Sequence, residues 1–199
     1  MIKKLILLSL AGLMLAAPAQ ASVTDDVRKT VNEVIRIVSD KEMKKPSQEQ
    51  KRRAAIKQAI GTVFDQQEMA RRSLGKHWNQ RTPDERRQFV ELFSGLLENS
   101  YADKIESYNN ERIVYVKEVV DGDFAEVKSK VITAKNEEYT LDYRALKQSS
   151  GKWVVYDVVI EGVSLVSNYR TQFNKIISAN GYAELVKKLQ SKSNELKAR

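Results

Sequence analysis

The chain has 199 residues, a formal net charge of +8, one histidine and no cysteine. That length suits a single domain with a sizeable core. The lack of cysteine excludes disulfides, thiol redox chemistry and cysteine-based metal sites, and one histidine excludes HExxH-type spacing.

Residues 1–21, MIKKLILLSLAGLMLAAPAQA, read as a secretory leader. Lys3 and Lys4 form its positive start, Ile6 to Leu15 is apolar but too short to span a bilayer, and Ala19-Gln20-Ala21 is an A-x-A cleavage site. The leader carries no cysteine for a lipid anchor. The mature chain is therefore expected to begin at Ser22, with residues 22–199 forming one domain. No later run is long and apolar enough to cross a membrane, so a soluble protein exported to the bacterial periplasm is expected. There the basic charge suits anionic membrane surfaces or acidic partner proteins better than nucleic acid.

Thr24 to Asp40 is amphipathic, with Val27, Val31, Val34, Ile35 and Val38 on one helical face. Lys41–Pro46 breaks it. Ser47 and Gln50 read as a capping box opening a second helix to about Val63. Asp65 with Glu68 starts a third, which stops at Gly75. Thr82-Pro83-Asp84-Glu85 is the clearest helix start, with Thr82 capping, Pro83 at the first position and Glu85 closing the box. A long stripe follows through Phe89, Leu92, Phe93, Leu96, Leu97, Tyr101 and Ile105, to about Ser107.

From Arg112 the apolar period changes to two. Strands are expected near Ile113–Val119, Phe124–Thr133, Tyr139–Leu146 and Trp153–Ile160, separated by turn residues at Asp121-Gly122, Lys135-Asn136-Glu137 and Ser149-Ser150-Gly151. Short loops imply a four-stranded antiparallel meander. Tyr139, Leu141 and Tyr143 share one face, opposite Thr140, Asp142 and Arg144. Glu126, Lys128 and Lys130 likewise oppose Ala125, Val127 and Val131, so these strands have a wet side. In the last strand simple alternation sets Val154, Val158 and Ile160 against Trp153, Val155 and Val159, apolar on both sides. After Glu161-Gly162 a helical stripe runs through Leu165, Val166, Tyr169, Phe173, Ile176 and Ile177, with Ser164 as cap. Asn180-Gly181 ends it, and Tyr182–Lys197 makes the last helix through Leu185, Val186, Leu189 and Leu196. The layout is α+β: N-terminal helices, a curved four-stranded meander and C-terminal helices. It resembles the cone of the NTF2-like fold, a likeness of fold alone.

No catalytic motif is present: there is no GxSxG, P-loop or GxGxxG. His77 lies in SLGKHWNQRTPDE, a helix stop and polar connection that suits a surface or capping residue. Asp142 falls on the wet face. Asp157 is either a perturbed carboxylate in a greasy pocket or, the favoured reading, an ion-pair partner of Arg144 or Arg170. Neither an enzyme nor a metal or cofactor site is expected.

Two stretches together carry a resemblance: FDQQEMARRSLGKHWNQRTPDERRQFVELFSGLLENSY at Phe64–Tyr101 and GKWVVYDVVIEGVSLVSNYRTQFNKII at Gly151–Ile177. They resemble the MlaC family, periplasmic phospholipid-shuttling proteins also described as toluene-tolerance (Ttg2-type) auxiliary proteins. YDVVIEGVSLVSNYRTQF is the most specific part, while Arg112–Leu146 matches mainly in strand pattern. The resemblance implies a monomeric carrier that holds phospholipid by its acyl chains in an apolar pocket. Its implied partners are an outer-membrane lipoprotein complex and an inner-membrane ABC transporter with an MCE-domain subunit. The implied role is maintenance of outer-membrane lipid asymmetry. The strand before Gly162 and the helix after it would line opposite walls of the cavity, through Val154, Val158, Ile160, Val163, Leu165, Val166, Tyr169 and Phe173. Phe89, Phe93, Leu97 and Tyr101 would add another wall, and Tyr139, Leu141 and Tyr143 a third. Arg71, Arg72, Lys76, Arg86 and Arg87 are candidates for docking acidic partner surfaces. A small-molecule enzyme on an NTF2-like cone and a structural periplasmic adaptor without ligand are the alternatives.

Overall fold

The computed structural model describes residues 22–197; the expected leader lies outside them. Four helices come first, α1 (Val23–Ser39), α2 (Glu49–Ile60), α3 (Gln66–Leu74) and α4 (Pro83–Glu106). The sheet follows as β1 (Arg112–Asp121), β2 (Phe124–Ile132), β3 (Glu138–Lys147), β4 (Trp153–Ile160) and β5 (Val163–Ser164), and then α5 (Leu165–Asn180) and α6 (Tyr182–Lys197). The sheet is an antiparallel meander in sequence order. It has one strand more than expected, because Glu161 (φ 48°) and Gly162 (φ 77°) form a two-residue hairpin turn that folds Val163-Ser164 back on Val159-Ile160.

Local signals explain where the helices start. Ser22 caps α1 by accepting the Asp25 N–H, and Asp65 caps α3 by accepting that of Glu68 at 2.9 Å. Thr82 and Glu85 form the reciprocal capping box of α4. The box expected at Ser47 is absent. Pro46–Gln48 is a 3₁₀ turn, in which the Gln48 N–H already donates to the Lys45 carbonyl, and α2 starts directly after it at Glu49, without a side-chain cap. Gly75 ends α3 at φ 53°, where a Cβ would press on the Arg170 side chain at 3.1 Å. His77 is buried, contrary to the surface reading, with Nε2 2.9 Å from Asn174 Oδ1. It lies in a second 3₁₀ turn, Gly75–Gln80, and this contact ties the turn to α5.

Three apolar clusters result. The largest joins α3 to α6 around Phe89, Phe93, Leu74, Phe173, Leu185 and Leu189. The second packs Val23 and Val27 of α1 on the sheet, against Ala125, Val127, Tyr143, Ala145 and Val155. Thr24 Oγ1 ties α1 to Glu118 of β1 at 2.5 Å. The third lies between α1 and α2, around Ile37, Val38, Ile56 and Ala59.

One irregularity overturns the simple alternation in β4. Arg144 pairs with Asp157, but Ala145 pairs with Val155, so Tyr156 is an extra residue on β4. Trp153, Val155, Val158 and Ile160 stand opposite Lys147, Ala145, Tyr143 and Leu141 and share their face. Val154, Asp157 and Val159 turn to the other side. The linker between α2 and α3 covers this end of the sheet: the Val155 N–H donates to the Val63 carbonyl at 2.7 Å, and the Asp65 N–H to the Val155 carbonyl at 2.9 Å.

Candidate functional site, an open apolar cavity

The helices and the sheet do not close on each other everywhere. Between α2, α4 and the face of β3 and β4 lies a cavity of about 320 Å³, near the lower end of small-ligand pockets at roughly 300–1,000 Å³. The sheet contributes Leu141, Tyr143, Val158 and Ile160 as its floor. Leu97, Tyr101, Ala102 and Ile105 of α4 form one wall, and Ile56 and Ile60 of α2 the other. Phe64, Met69 and Leu165 close one end. The bulge at Tyr156 brings Val158 and Ile160 onto the face of Tyr143 and Leu141. Both remain only half-buried, because they face the cavity rather than neighbouring side chains.

Of the residues expected to line a pocket, Leu97, Tyr101, Leu141, Tyr143, Val158, Ile160 and Leu165 meet there. The others lie elsewhere. Phe89, Phe93, Val166 and Phe173 are buried in the all-helical cluster, where the Phe93 ring packs edge-on to Phe173 at 5.6 Å. Tyr169 is half-buried against Phe93 at 5.2 Å. Val154 faces away from the cavity side of β4 because of the bulge, while Tyr139 and Val163 are exposed. The α2 wall was missed by sequence reasoning. Its signal was the four-residue spacing of Ile56 and Ile60, which looks the same for a helix packed on a core.

The interior is apolar and its rim is charged: Arg53, Lys57, Glu98 and Glu106 also line the opening. Burial raises the Tyr143 hydroxyl well above the usual tyrosine range and pushes Tyr115 up to about 12, so both stay neutral.

Asp157 is buried, and both its oxygens are engaged. Oδ1 accepts the Val166 N–H at 2.9 Å; Oδ2 accepts the Ser164 hydroxyl at 2.6 Å and lies 3.5 Å from Arg144 Nη1. The pairing with Arg144 is present, and the carboxylate serves the start of α5. Asp142 Oδ1 accepts the Ser129 N–H at 3.0 Å. Among the described residues no group of histidine, cysteine, aspartate or glutamate side chains is gathered as a metal site.

The five basic docking candidates are mostly engaged within the chain. Arg71 and Arg72 both bind Glu68, and Arg72 also stacks on Tyr156 at 3.8 Å. Arg86 donates to the Trp78 carbonyl, Arg87 pairs with Asp84, and Lys76 is exposed. Burial works against the Glu68 carboxylate, but hydrogen bonds from Arg71 and Arg72 outweigh it and hold its pKa below the ordinary value.

Fold and cavity define a helix-and-meander protein with an open apolar pocket between the two layers. Residues 28–191 match the family model described as MlaC protein. The chain belongs to the MlaC family. It is 28% identical over 126 residues to the intermembrane phospholipid transport system binding protein MlaC of Haemophilus influenzae, covering 61% of this chain and 59% of that protein. It is 28% identical over 129 residues to toluene tolerance protein ttg2D of Pseudomonas putida, covering 64% and 60%. The matches thus span about three fifths of the length of these curated relatives. A solved structure of the phospholipid-binding protein from Ralstonia solanacearum, in complex with a phospholipid, superposes with a TM-score of 0.79 at 29% identity, over 88% of this chain and 99% of that one.

Proposed function

We propose that the protein is a periplasmic phospholipid carrier, exported by the leader at residues 1–21, that holds acyl chains in the cavity between α2, α4 and the sheet. The observation that carries this reading is the lining, in which aliphatic and aromatic side chains from two helices and two strands surround an open volume. The names of the relatives and the phospholipid in the Ralstonia solanacearum structure support it. Its partners in this reading are an outer-membrane lipoprotein complex and an inner-membrane ABC transporter with an MCE-domain subunit, and its role is to maintain outer-membrane lipid asymmetry.

The energetics suit a carrier. Burying an acyl chain is worth about 0.8 kcal/mol per CH₂, so a chain of roughly sixteen carbons gains on the order of 12 kcal/mol in a dry pocket. A bilayer offers a similar gain. The two reservoirs nearly balance, and loading and unloading then need a docked complex that shields the exchange. Arg71, Lys76 and Arg87, the more exposed of the basic candidates, are proposed to steer that docking.

The test is to purify the mature protein from periplasm without detergent, extract it with organic solvent and identify lipids by mass spectrometry against a mock purification. Near-stoichiometric phospholipid with mixed headgroups is expected. A lipid-free protein that also refuses phospholipid from liposomes contradicts the reading.

A further inference from the structure

The charged rim of the cavity has an unusual state of pairing. Arg53 and Lys57 stand one turn apart on α2 and face Glu98 and Glu106 across the opening, with the exposed Asp103 beside them. Lys57 Nζ lies 2.8 Å from Glu98 Oε1, Arg53 Nε 3.4 Å from Glu106 Oε1, and Arg53 Nη2 3.6 Å from Asp103 Oδ1. Arg53 Nη2 also lies 3.1 Å from Glu49 Oε1 on its own helix, and its two contacts across the opening are the longer ones. Arg53 Nε and Glu106 Oε1 are both buried, and neither makes a hydrogen bond. The other Glu106 oxygen already accepts from Arg52 at 2.8 Å. A buried donor and acceptor left in this state cost free energy that a better partner would recover.

A second observation lies further in. Ser94, one turn before Glu98 on α4, lines the same cavity and is 6% exposed, and its hydroxyl has no hydrogen-bond partner. Buried hydroxyls are almost always satisfied, so this one is a donor pointing to an absent acceptor in a wall that is otherwise apolar. Four residues of helix rise about 6 Å, on the scale of the glycerol link between a phosphate and its acyl esters.

Resting on the carrier reading above, we propose that Arg53 and Lys57 form a phosphodiester subsite at the cavity rim, with Ser94 donating to an acyl ester carbonyl below it. Without lipid, Lys57 pairs with Glu98, and Arg53 with Glu49, Glu106 and Asp103. The phosphate of an entering lipid takes the place of these carboxylates, because its oxygens accept from a guanidinium fork and an ammonium together. Phosphate is common to all glycerophospholipid headgroups, so such a site accepts mixed headgroups while rejecting lipids that lack phosphate.

The experiment compares uptake from mixed liposomes of a phosphatidylglycerol and of a diacylglycerol with identical acyl chains. Wild-type mature protein is expected to favour the phospholipid by about tenfold or more, the scale of a charge-assisted hydrogen bond. R53Q/K57Q brings the ratio close to one, and Glu98→Gln, which frees Lys57, raises it. If the double variant does not fold, Glu98→Gln carries the test alone. Ratios unchanged by these substitutions, or no preference in the wild type, overturn the subsite while leaving the acyl-chain cavity intact. Uptake of neither lipid by the wild type overturns the carrier reading itself, and the subsite with it. Inorganic phosphate is expected not to displace bound phospholipid; displacement by inorganic phosphate overturns the assignment to a lipid headgroup.

Discussion

The Asp157 carboxylate on β4 accepts the backbone N–H of Val166, the second residue of α5, at 2.9 Å. Ser164, the N-cap of α5, donates its hydroxyl to the same carboxylate at 2.6 Å. The strand therefore holds the start of the next helix through one buried anion, placed where the helix dipole favours it. That fixes Leu165 at the end of the cavity. Asp157→Ala leaves Ser164 and the Val166 amide without their acceptor and Arg144 with Glu126 alone, and a loss of about 3 kcal/mol is expected from denaturant unfolding. Asp157→Asn keeps an acceptor in place and should cost less. Equal stability of the alanine variant and wild type would contradict the assignment.

Core and cavity wall should respond differently to truncation. Phe93 is fully buried among Phe89, Tyr169 and Phe173. Phe93→Ala is expected to cost about 3–5 kcal/mol. Ile160 faces open space, so Ile160→Ala should cost no more than about 2 kcal/mol, the low end for such truncations. Ile160→Trp reverses the logic: stability holds while the lipid carried per protein falls. Chemical denaturation and lipid mass spectrometry read the two effects separately.

Acid should weaken α3 itself, because Glu68 and its partners Arg71 and Arg72 all lie on that helix. The Glu68 pKa is lower in the folded protein than its ordinary value. Its contribution is present above the unfolded-state pKa and is lost as pH falls through the folded one. Glu68→Gln should flatten that part of the stability–pH curve and release Arg71 and Arg72. An acid limb of the same slope in the variant would show that Glu68 does not carry it.

Alkali should act through the buried tyrosines. Tyr115 is held to about 12 in the folded protein against an ordinary 10.0. Between those values the unfolded chain loses the proton and the folded one keeps it, so stability falls as pH rises from about 10. The Tyr115 hydroxyl has no partner in its buried site. Tyr115→Phe is therefore expected to cost little near neutrality and to flatten the alkaline limb. A large loss at pH 7 would mean that the hydroxyl is satisfied after all.

Much of the fold was legible because its signals are local. The Thr82–Glu85 box, the Asp65 cap and the turns at Gly122 and Gly151 each depend on a few adjacent residues. The stripe from Phe89 to Ile105 was legible as a helix but not as two functions. Its first half packs on α5 and α6, and its second half faces the cavity; apolar spacing is the same in both cases. The faces of β4 were misassigned at Val154, Trp153 and Val155 because an extra residue at Tyr156 shifts the alternation, and a bulge leaves no mark in hydropathy. Ile56 and Ile60 escaped for a similar reason, since only the tertiary placement of α2 makes them a wall.

Acyl-chain photo-crosslinking locates the lipid most directly. The mature protein would be loaded from liposomes with a phospholipid carrying a diazirine near the middle of one chain, irradiated and mapped by peptide mass spectrometry. Adducts are expected on Leu97, Tyr101, Leu141, Val158 and Ile160. Adducts confined to exposed apolar positions such as Val116 and Phe124 would contradict the claim that the cavity holds the acyl chains.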